Sequence, residues 1–324
     1  MRLTWFIIIC TSRFLYSQDL KPKPISGEQI INHSAYSLSY NERSEQASWV
    51  AYELTASEVK GTIGRTDNFR IDPYVSTGSA SLSDYKGSGY DRGHLAPAGD
   101  MKWSSTAMSV SFYMSNMSPQ NPSFNRGIWK RLENQVRQWA VDNCSVYIAT
   151  AGVLNGSLTT IGSNRVAVPL YYYKVVLDYR EPELKGIGFI LPNRKGENNL
   201  KSYAITINQV ESITGIDFFH NLPDEIEEKI EGAIDLSKWS FKPYKGSSDG
   251  GTATQCLGTT QKGNRCGNRT NNTSGYCYLH GTSKITKSSK SVTSVRCMGI
   301  TKKGARCKRK TKSSNGYCYQ HGGK

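Results

Sequence analysis

The stretch Tyr90-Asp-Arg-Gly-His-Leu-Ala-Pro-Ala-Gly-Asp-Met101 places Asp91, Arg92 and His94 within four residues, just ahead of a Gly/Pro-rich turn. In an extended segment Arg92 and His94 point to one face and Asp91 to the other. A neutral imidazole, with an ordinary pKa of about 6.5, can take a proton from water near neutral pH. A neighbouring guanidinium can hold a phosphate through two parallel hydrogen bonds. Phosphodiester hydrolysis asks for these parts: a base, a water to activate, and positive charge around the transition state. For four residues taken alone, the alternative is a surface Asp–Arg pair beside an ordinary histidine.

A second stretch narrows the choice. It reads Asn116-Met-Ser-Pro-Gln-Asn-Pro-Ser-Phe-Asn125, followed by Arg126-Gly-Ile-Trp129-Lys-Arg-Leu132-Glu133. An amide oxygen is a hard neutral ligand suited to Mg²⁺, which takes few protein groups and keeps several waters. In one continuous helix Asn125 and Glu133 would lie about 12 Å apart along the axis. A metal on Asn125, with Glu133 acting through a water, is therefore the more economical geometry. Two plainer roles stay open: Asn125 capping the helix, and Glu133 pairing with Arg137 at i,i+4. His33 and His220 lack comparable partners in the sequence, and the Phe-Phe-His-Asn-Leu-Pro223 setting of His220 is that of a packed residue.

Taken together, Asp91-Arg-Gly-His94, Asn116-x-x-Pro-Gln120, Asn125, Trp129 and Leu132-Glu133 resemble the DNA/RNA non-specific endonucleases, a family that includes mitochondrial endonuclease G. The resemblance covers roughly residues 61–239. It implies an α+β, ββα-metal nuclease fold with a central antiparallel sheet, a hairpin and a helix presenting the site, and a single Mg²⁺ or Mn²⁺. It implies His94 as general base, Asn125 as direct metal ligand, Glu133 as a water-mediated metal partner and Arg92 as a phosphate contact. Asn116 and Gln120 would shape the substrate site. Family members often carry a further phosphate-contacting arginine upstream, near Asn68-Phe-Arg-Ile-Asp-Pro73. Asp67 occupies the expected place, and Arg65 and Arg70 flank it, so either arginine can serve.

These residues need elements to hold them. Ser145–Val153, Val166–Tyr179 and Gly186–Leu191 are short β-branched and aromatic runs and read as strands. Trp129, Leu132, Val136 and Trp139 recur at helical spacing, so Asn125–Val141 reads as an amphipathic helix. Asp224–Trp239 reads as another, with acids in its first turn. Strands and helices do not alternate regularly, which favours α+β over a doubly wound sheet.

The 324-residue chain is long enough for a substantial core, and its mean hydropathy of −0.52 excludes a polytopic membrane protein. Arg2 followed by the apolar run Leu3–Cys10, with small residues near position 17, reads as a signal peptide over residues 1–17. The run is too short to span a bilayer, and Ile9 is bulky for a lipid-attachment site, so no stable membrane anchor is expected. Secretion, or delivery to a periplasm, follows. A neutral body spans 29–244, with 25 Lys+Arg and 25 Asp+Glu in the first 244 residues.

The formal net charge of +15 belongs wholly to the remainder, where 16 Lys+Arg face the single acid Asp249. A Gly/Ser-rich linker at 245–254 leads into two modules, 255–282 and 296–324. Cys256, Cys266, Cys277 and His280 recur as Cys297, Cys307, Cys318 and His321, each displaced by 41 residues. Three thiolates and an imidazole suit a closed tetrahedral Zn²⁺ site, so two structural zinc ions are expected. Disulfides are the rival, yet three cysteines per unit is an odd number, full pairing would need a bond between repeats, and the repeated histidine has no part in them. Basic clusters around these ligands point to phosphate contact without base readout.

The combined reading is an exported, metal-dependent endonuclease acting on DNA and RNA. The alternative is a non-catalytic nucleic-acid or anionic-surface binder that works through the basic tail. A homodimer and an inhibitor protein are left open.

Overall fold

The computed structural model describes residues 19–180, 183–197 and 199–242, and, beyond them, 254–255, 257–259, 264–266, 269–270, 295–298, 307–311, 318 and 321. The signal segment 1–17, most of the linker, and Cys256, Cys277 and His280 lie outside the described residues. The chain divides into two compact units, Met1–Gly275 and Tyr276–Lys324, a boundary that falls inside the span 255–282.

The first unit is built on a seven-stranded antiparallel sheet. Its strands are β1 (Gln29–Asn32), β2 (Ser37–Asn41), β3 (Gln46–Thr55), β6 (Ser145–Gly152), β9 (Tyr171–Asp178), β10 (Lys185–Pro192) and β11 (Ala204–Ile205), in that spatial order. Two small ladders lie outside it, β4 (Asp91–His94) with β5 (Met117–Gln120) and β7 (Thr160–Ile161) with β8 (Val166–Ala167). The expected strand Val166–Tyr179 is thus two strands, separated at Pro169, which cannot donate to a ladder.

Register places Tyr52 beside Ile148 and Val176, and Thr150 beside Lys174, so these residues share one face of the sheet. Helix α4 (Lys130–Asp142) lies over that face through Leu132, Val136, Trp139 and Ala140, all buried. Trp139 stacks on Phe189 at 6.0 Å and meets Trp239 at 4.7 Å. Truncating a buried tryptophan of this kind costs roughly 3–5 kcal/mol. Helices α5 (Ile207–Thr214) and α6 (Asp224–Glu231) press on the opposite face. There a Cβ at Gly188 would fall 2.6 Å from Val210 Cγ2, so only glycine admits the helix. Helix α6 ends at Gly232, well short of Trp239, and the remainder continues as a single 3-10 turn, Leu236–Lys238.

Helix α4 also starts later than its apolar spacing suggests. Asn121 accepts from the Ser123 amide at 2.9 Å and Pro122 takes the first helical position, opening a three-residue α3 (Pro122–Phe124). A π-helical turn, Asn125–Trp129, follows, with non-helical angles at Gly127. The capping role open to Asn125 is therefore filled by Asn121. No continuous helix joins Asn125 to Glu133.

Candidate active site

His94 ends β4, and the β4–β5 ladder is fastened to the sheet from below. The Ser118 hydroxyl meets Tyr172 Oη at 2.6 Å, and Tyr172 donates to the Pro119 carbonyl at 2.9 Å. Asn193 Nδ2 donates to the Pro119 and Pro169 carbonyls at 3.0 and 2.9 Å, while its Oδ1 accepts from the Asn121 amide. Asn116, fully buried, clamps the chain just past His94: its Oδ1 accepts from the Ala96 amide at 2.8 Å, and its Nδ2 donates to the Ala96 and Ser111 carbonyls. Its amide is thus committed to the backbone next to His94. Gln120 lies across Gly93, where a Cβ would fall 2.1 Å from Gln120 Cδ, and neither atom of its buried amide has a protein partner.

The His94 ring is wedged between Phe69 and Phe112, at 5.7 and 4.8 Å, both edge-on. Each phenyl carries a guanidinium: Arg92 lies 4.3 Å over Phe69 and Arg65 4.8 Å over Phe112. Burial holds the imidazole well below its ordinary pKa, and the positive fields of Arg65 and Arg92 add to the effect. Nε2 is buried and has no hydrogen-bond partner. The arrangement yields a neutral base beneath two cations able to receive phosphate oxygens.

Arg65 and Arg70 separate here. Arg70 donates to the Asn68 and Ser109 carbonyls at 3.1 and 2.9 Å and packs 4.0 Å over Tyr113, so its guanidinium is committed to the scaffold. Arg65, exposed and paired with Asp67 at 2.6 Å, acts on His94 directly through its charge.

The amide of Asn125 is oriented by a residue to which the sequence assigned no role. Asp91, on the face of β4 opposite His94, accepts from Asn125 Nδ2 at 2.9 Å and from Arg126 through both Nε and Nη2, at 2.9 and 2.6 Å. Fixing Nδ2 as the donor leaves Asn125 Oδ1 without a protein donor among the described residues. This is the hard neutral oxygen that Mg²⁺ or Mn²⁺ accepts, so the donor chemistry fits a single such ion.

The i,i+4 pairing with Arg137 that was open to Glu133 is not formed. Arg137 pairs instead with buried Asp100, which also accepts from Tyr52 Oη at 2.7 Å, and its Nη2 donates to Asn134 at 2.6 Å. Lys174, buried on β9, has an unbonded Nζ 4.8 Å over the Trp129 ring. Burial drives Glu133 and Lys174 toward their neutral forms, and their opposite charges resist it. Asp100 and Lys174 had no part in the sequence reading, and Arg137 entered it only as a partner open to Glu133. The signal available was a lysine within the apolar run Tyr-Tyr-Tyr-Lys-Val-Val.

The remaining histidines differ from expectation. His33 is not partnerless: its Nε2 lies 2.9 Å from Asp72, which also accepts from Ser115 Oγ, inside a cage of Tyr36, Tyr74 and Tyr113. His220 is half-buried, with one long contact to Asn221. In the second unit Cys297, Cys307, Cys318 and His321 bring one ligand atom each within 4.8 Å of the others. Among the described residues, no helix is long and apolar enough to cross a membrane.

The family model described as DNA/RNA non-specific endonuclease matches residues 20–225. A nuclease of Nostoc sp. (strain PCC 7120 / SAG 25.82 / UTEX 2576) is 37% identical over 218 residues, covering 64% of this chain and 78% of that protein. Mouse mitochondrial nuclease EXOG is 33% identical, covering 61% of this chain but only 59% of its own length. Human mitochondrial endonuclease G is 32% identical, covering 60% and 70%. Among solved structures, the EndoG/EndoGI complex aligns with a TM-score of 0.57 at 30% identity, covering 60% of this chain and 86% of that one. The same α+β frame, a central antiparallel sheet with the hairpin and helix carrying His94 and Asn125, lies within the matched span. The chain belongs to the DNA/RNA non-specific endonuclease family, and its first unit is a hydrolase of that class.

Proposed function

We propose that the protein is exported and hydrolyses phosphodiester bonds in both DNA and RNA without sequence specificity. The observation that carries this reading is His94 Nε2, unbonded and held neutral between two ring-mounted arginines, on the same hairpin as the carboxylate that orients Asn125. His94 takes the proton of the attacking water. Arg92 and Arg65 hold the phosphate oxygens and offset the charge that grows on them. Asp91 holds the Asn125 amide by its nitrogen; Asn125 would hold the divalent ion, Mg²⁺ or Mn²⁺, directly through its oxygen, and Glu133 would act on that ion through a water. The ion, when bound, stabilises the leaving 3′-oxygen. Arg70 and Asn116 act as supports. The two basic Cys/His modules would hold structural zinc and add sequence-independent phosphate contacts.

The test is cleavage of plasmid DNA and of RNA in Mg²⁺ or EDTA, by the wild type and by His94→Ala. Cleavage of both polymers, lost with EDTA and with His94→Ala while substrate binding survives, supports the assignment. Undiminished turnover by His94→Ala overturns it. Export is checked by finding the mature protein outside the cytoplasm with its N-terminus near residue 18.

A further inference from the structure

The second repeat has a metal site drawn in its own geometry. Cys297 Sγ and Cys318 Sγ lie 3.4 and 3.3 Å from His321 Nδ1, and Cys307 Sγ lies 4.0 Å from Cys318 Sγ. A tetrahedral zinc with Zn–S of about 2.3 Å and Zn–N of about 2.0 Å has ligand-to-ligand edges of about 3.8 Å between sulfurs and about 3.5 Å between sulfur and nitrogen. These three spacings lie within about 0.2 Å of those edges, and all four ligand atoms lie within 4.8 Å of one another. Cys307 Sγ and Cys318 Sγ stand at contact distance, 4.0 Å, and not at the roughly 2.05 Å of an S–S bond. The Cys318 amide donates to Cys297 Sγ at 3.1 Å, a bond that favours the thiolate.

Burial alone does not explain why these groups meet. Among the described residues, the buried cluster of this module consists of Cys297, Cys307 and Cys318 and nothing larger. Ordering each residue costs about 1–2 kcal/mol of backbone entropy, which three thiols cannot offset by leaving water. A bound ion can.

The ligands also bracket a run of positive charge. Lys308, Arg309 and Lys310 follow Cys307 directly and are all exposed. The run leads into the strand Lys310–Thr311, which pairs antiparallel with Val295–Arg296, the strand entering Cys297. The Cys297 amide donates to the Arg309 carbonyl at 2.8 Å, and Arg296 Nε donates to the Cys307 carbonyl at 3.1 Å. The backbone of the cationic run is thus tied to two ligand residues, and no acid occurs anywhere in 296–324.

We infer that Cys297, Cys307 and Cys318 through Sγ, and His321 through Nδ1, bind one Zn²⁺, and that this ion fixes the 308–310 run for contact with nucleic-acid phosphates, so that zinc occupancy sets how firmly the enzyme retains its polymer. The choice of polymer rests on the nuclease reading; the metal site does not.

The experiment uses the full chain in a His94→Ala background, so that substrate is bound without being cut. Elemental analysis gives the zinc content, and anisotropy with a 30-nucleotide single strand gives affinity against salt. The double variant Cys307→Ser/Cys318→Ser should lose one zinc per chain and bind about tenfold more weakly. Its salt slope should fall by about two to three. Lys308→Ala/Arg309→Ala/Lys310→Ala should keep the zinc and lose the same affinity, which separates charge from folding. Equal zinc content in wild type and the cysteine variant removes the metal site. Zinc loss with unchanged affinity and slope removes the coupling. Because neither readout needs cleavage, failure of the catalytic assignment would appear only in the plasmid assay and leave this result standing.

Discussion

The nuclease body and the second Cys/His module solve the same problem with opposite means. The body balances its charges and buries an aromatic and aliphatic core between sheet and helices, so its chemistry can rest on groups held without solvent. His94, Lys174 and Gln120 are polar groups kept unbonded inside that core. The module has almost nothing apolar to bury and carries charge of one sign. What it buries is a ligand set. A core can hold a reactive group in an unfavourable state, whereas a module of this size with so small a core is suited to presenting charge.

The sharpest break in this comparison is at His94. His94→Ala should lower turnover on DNA about 10³–10⁴-fold with little change in substrate affinity, since a positioned general base contributes on that order. Asp91→Asn tests the claim that the body positions the metal ligand. It keeps a polar group but weakens the hold on Arg126 and on the Asn125 amide, and loss of a residue that orients a ligand typically costs 10–100-fold. The expected result is a Mg²⁺ requirement raised by that factor, with near-normal turnover at saturating ion. A Mg²⁺ titration superimposable on wild type would remove Asp91 from the role.

The two upstream arginines divide along the same line between chemistry and support. Arg65→Ala should raise KM and lower turnover about 10–100-fold while leaving the thermal midpoint unchanged, because Arg65 is exposed and faces the base. Arg70→Ala should do the reverse: it removes the donor from the Asn68 and Ser109 carbonyls and from Ser109 Oγ and costs about 1–3 kcal/mol of stability at nearly normal turnover. Matching kinetic losses in both variants would erase the distinction.

Removing residues 245–324 tests the other side. The truncated body should stay folded and cleave short substrates normally. It should bind long DNA about tenfold more weakly at moderate salt, with a shallower salt dependence. An unchanged salt slope would assign the tail to some other partner.

The proposed catalytic residues stand out in the sequence because they are local. Asp91 to His94 and Asn116 to Glu133 are two short segments whose residue types announce their chemistry. What the sequence concealed is tertiary. That Asp91 orients Asn125 depends on β4 lying against the start of the π-helical turn, and nothing in the spacing from 91 to 125 encodes it. The Arg65–Arg70 choice turns on Ser109, nearly 40 residues away. The helix read over Asn125–Val141 had the correct apolar face, but its start was misplaced because Asn121 and Pro122 open a separate turn. His33 found its partner in Asp72 through a loop contact no local pattern carries.

The smallest predicted effect concerns stability alone, and it sets the two regions against each other with pH. Glu231 closes α6 with its Oε1 buried and unbonded. Burial pushes its carboxyl up to about 9, helped by the nearby charges of Glu211, Glu227 and Asp217. A carboxyl whose folded pKa lies above its unfolded value binds more protons in the folded state. Its contribution is complete below about pH 4.5 and is lost as pH rises toward about 9. Glu231→Gln is neutral throughout, so its stability relative to wild type should grow from near zero at pH 5 to at least about 1 kcal/mol at pH 9. Urea unfolding of the body at the two pH values measures this, with catalysis unaffected. The module should respond in the opposite sense, because thiolate ligands compete with protons and zinc binding tightens as pH rises over the same range. A Glu231→Gln body whose unfolding still follows the wild-type pH dependence would mean that the buried acid is solvated after all, and that the body's tolerance for unbonded polar groups stops at its active site.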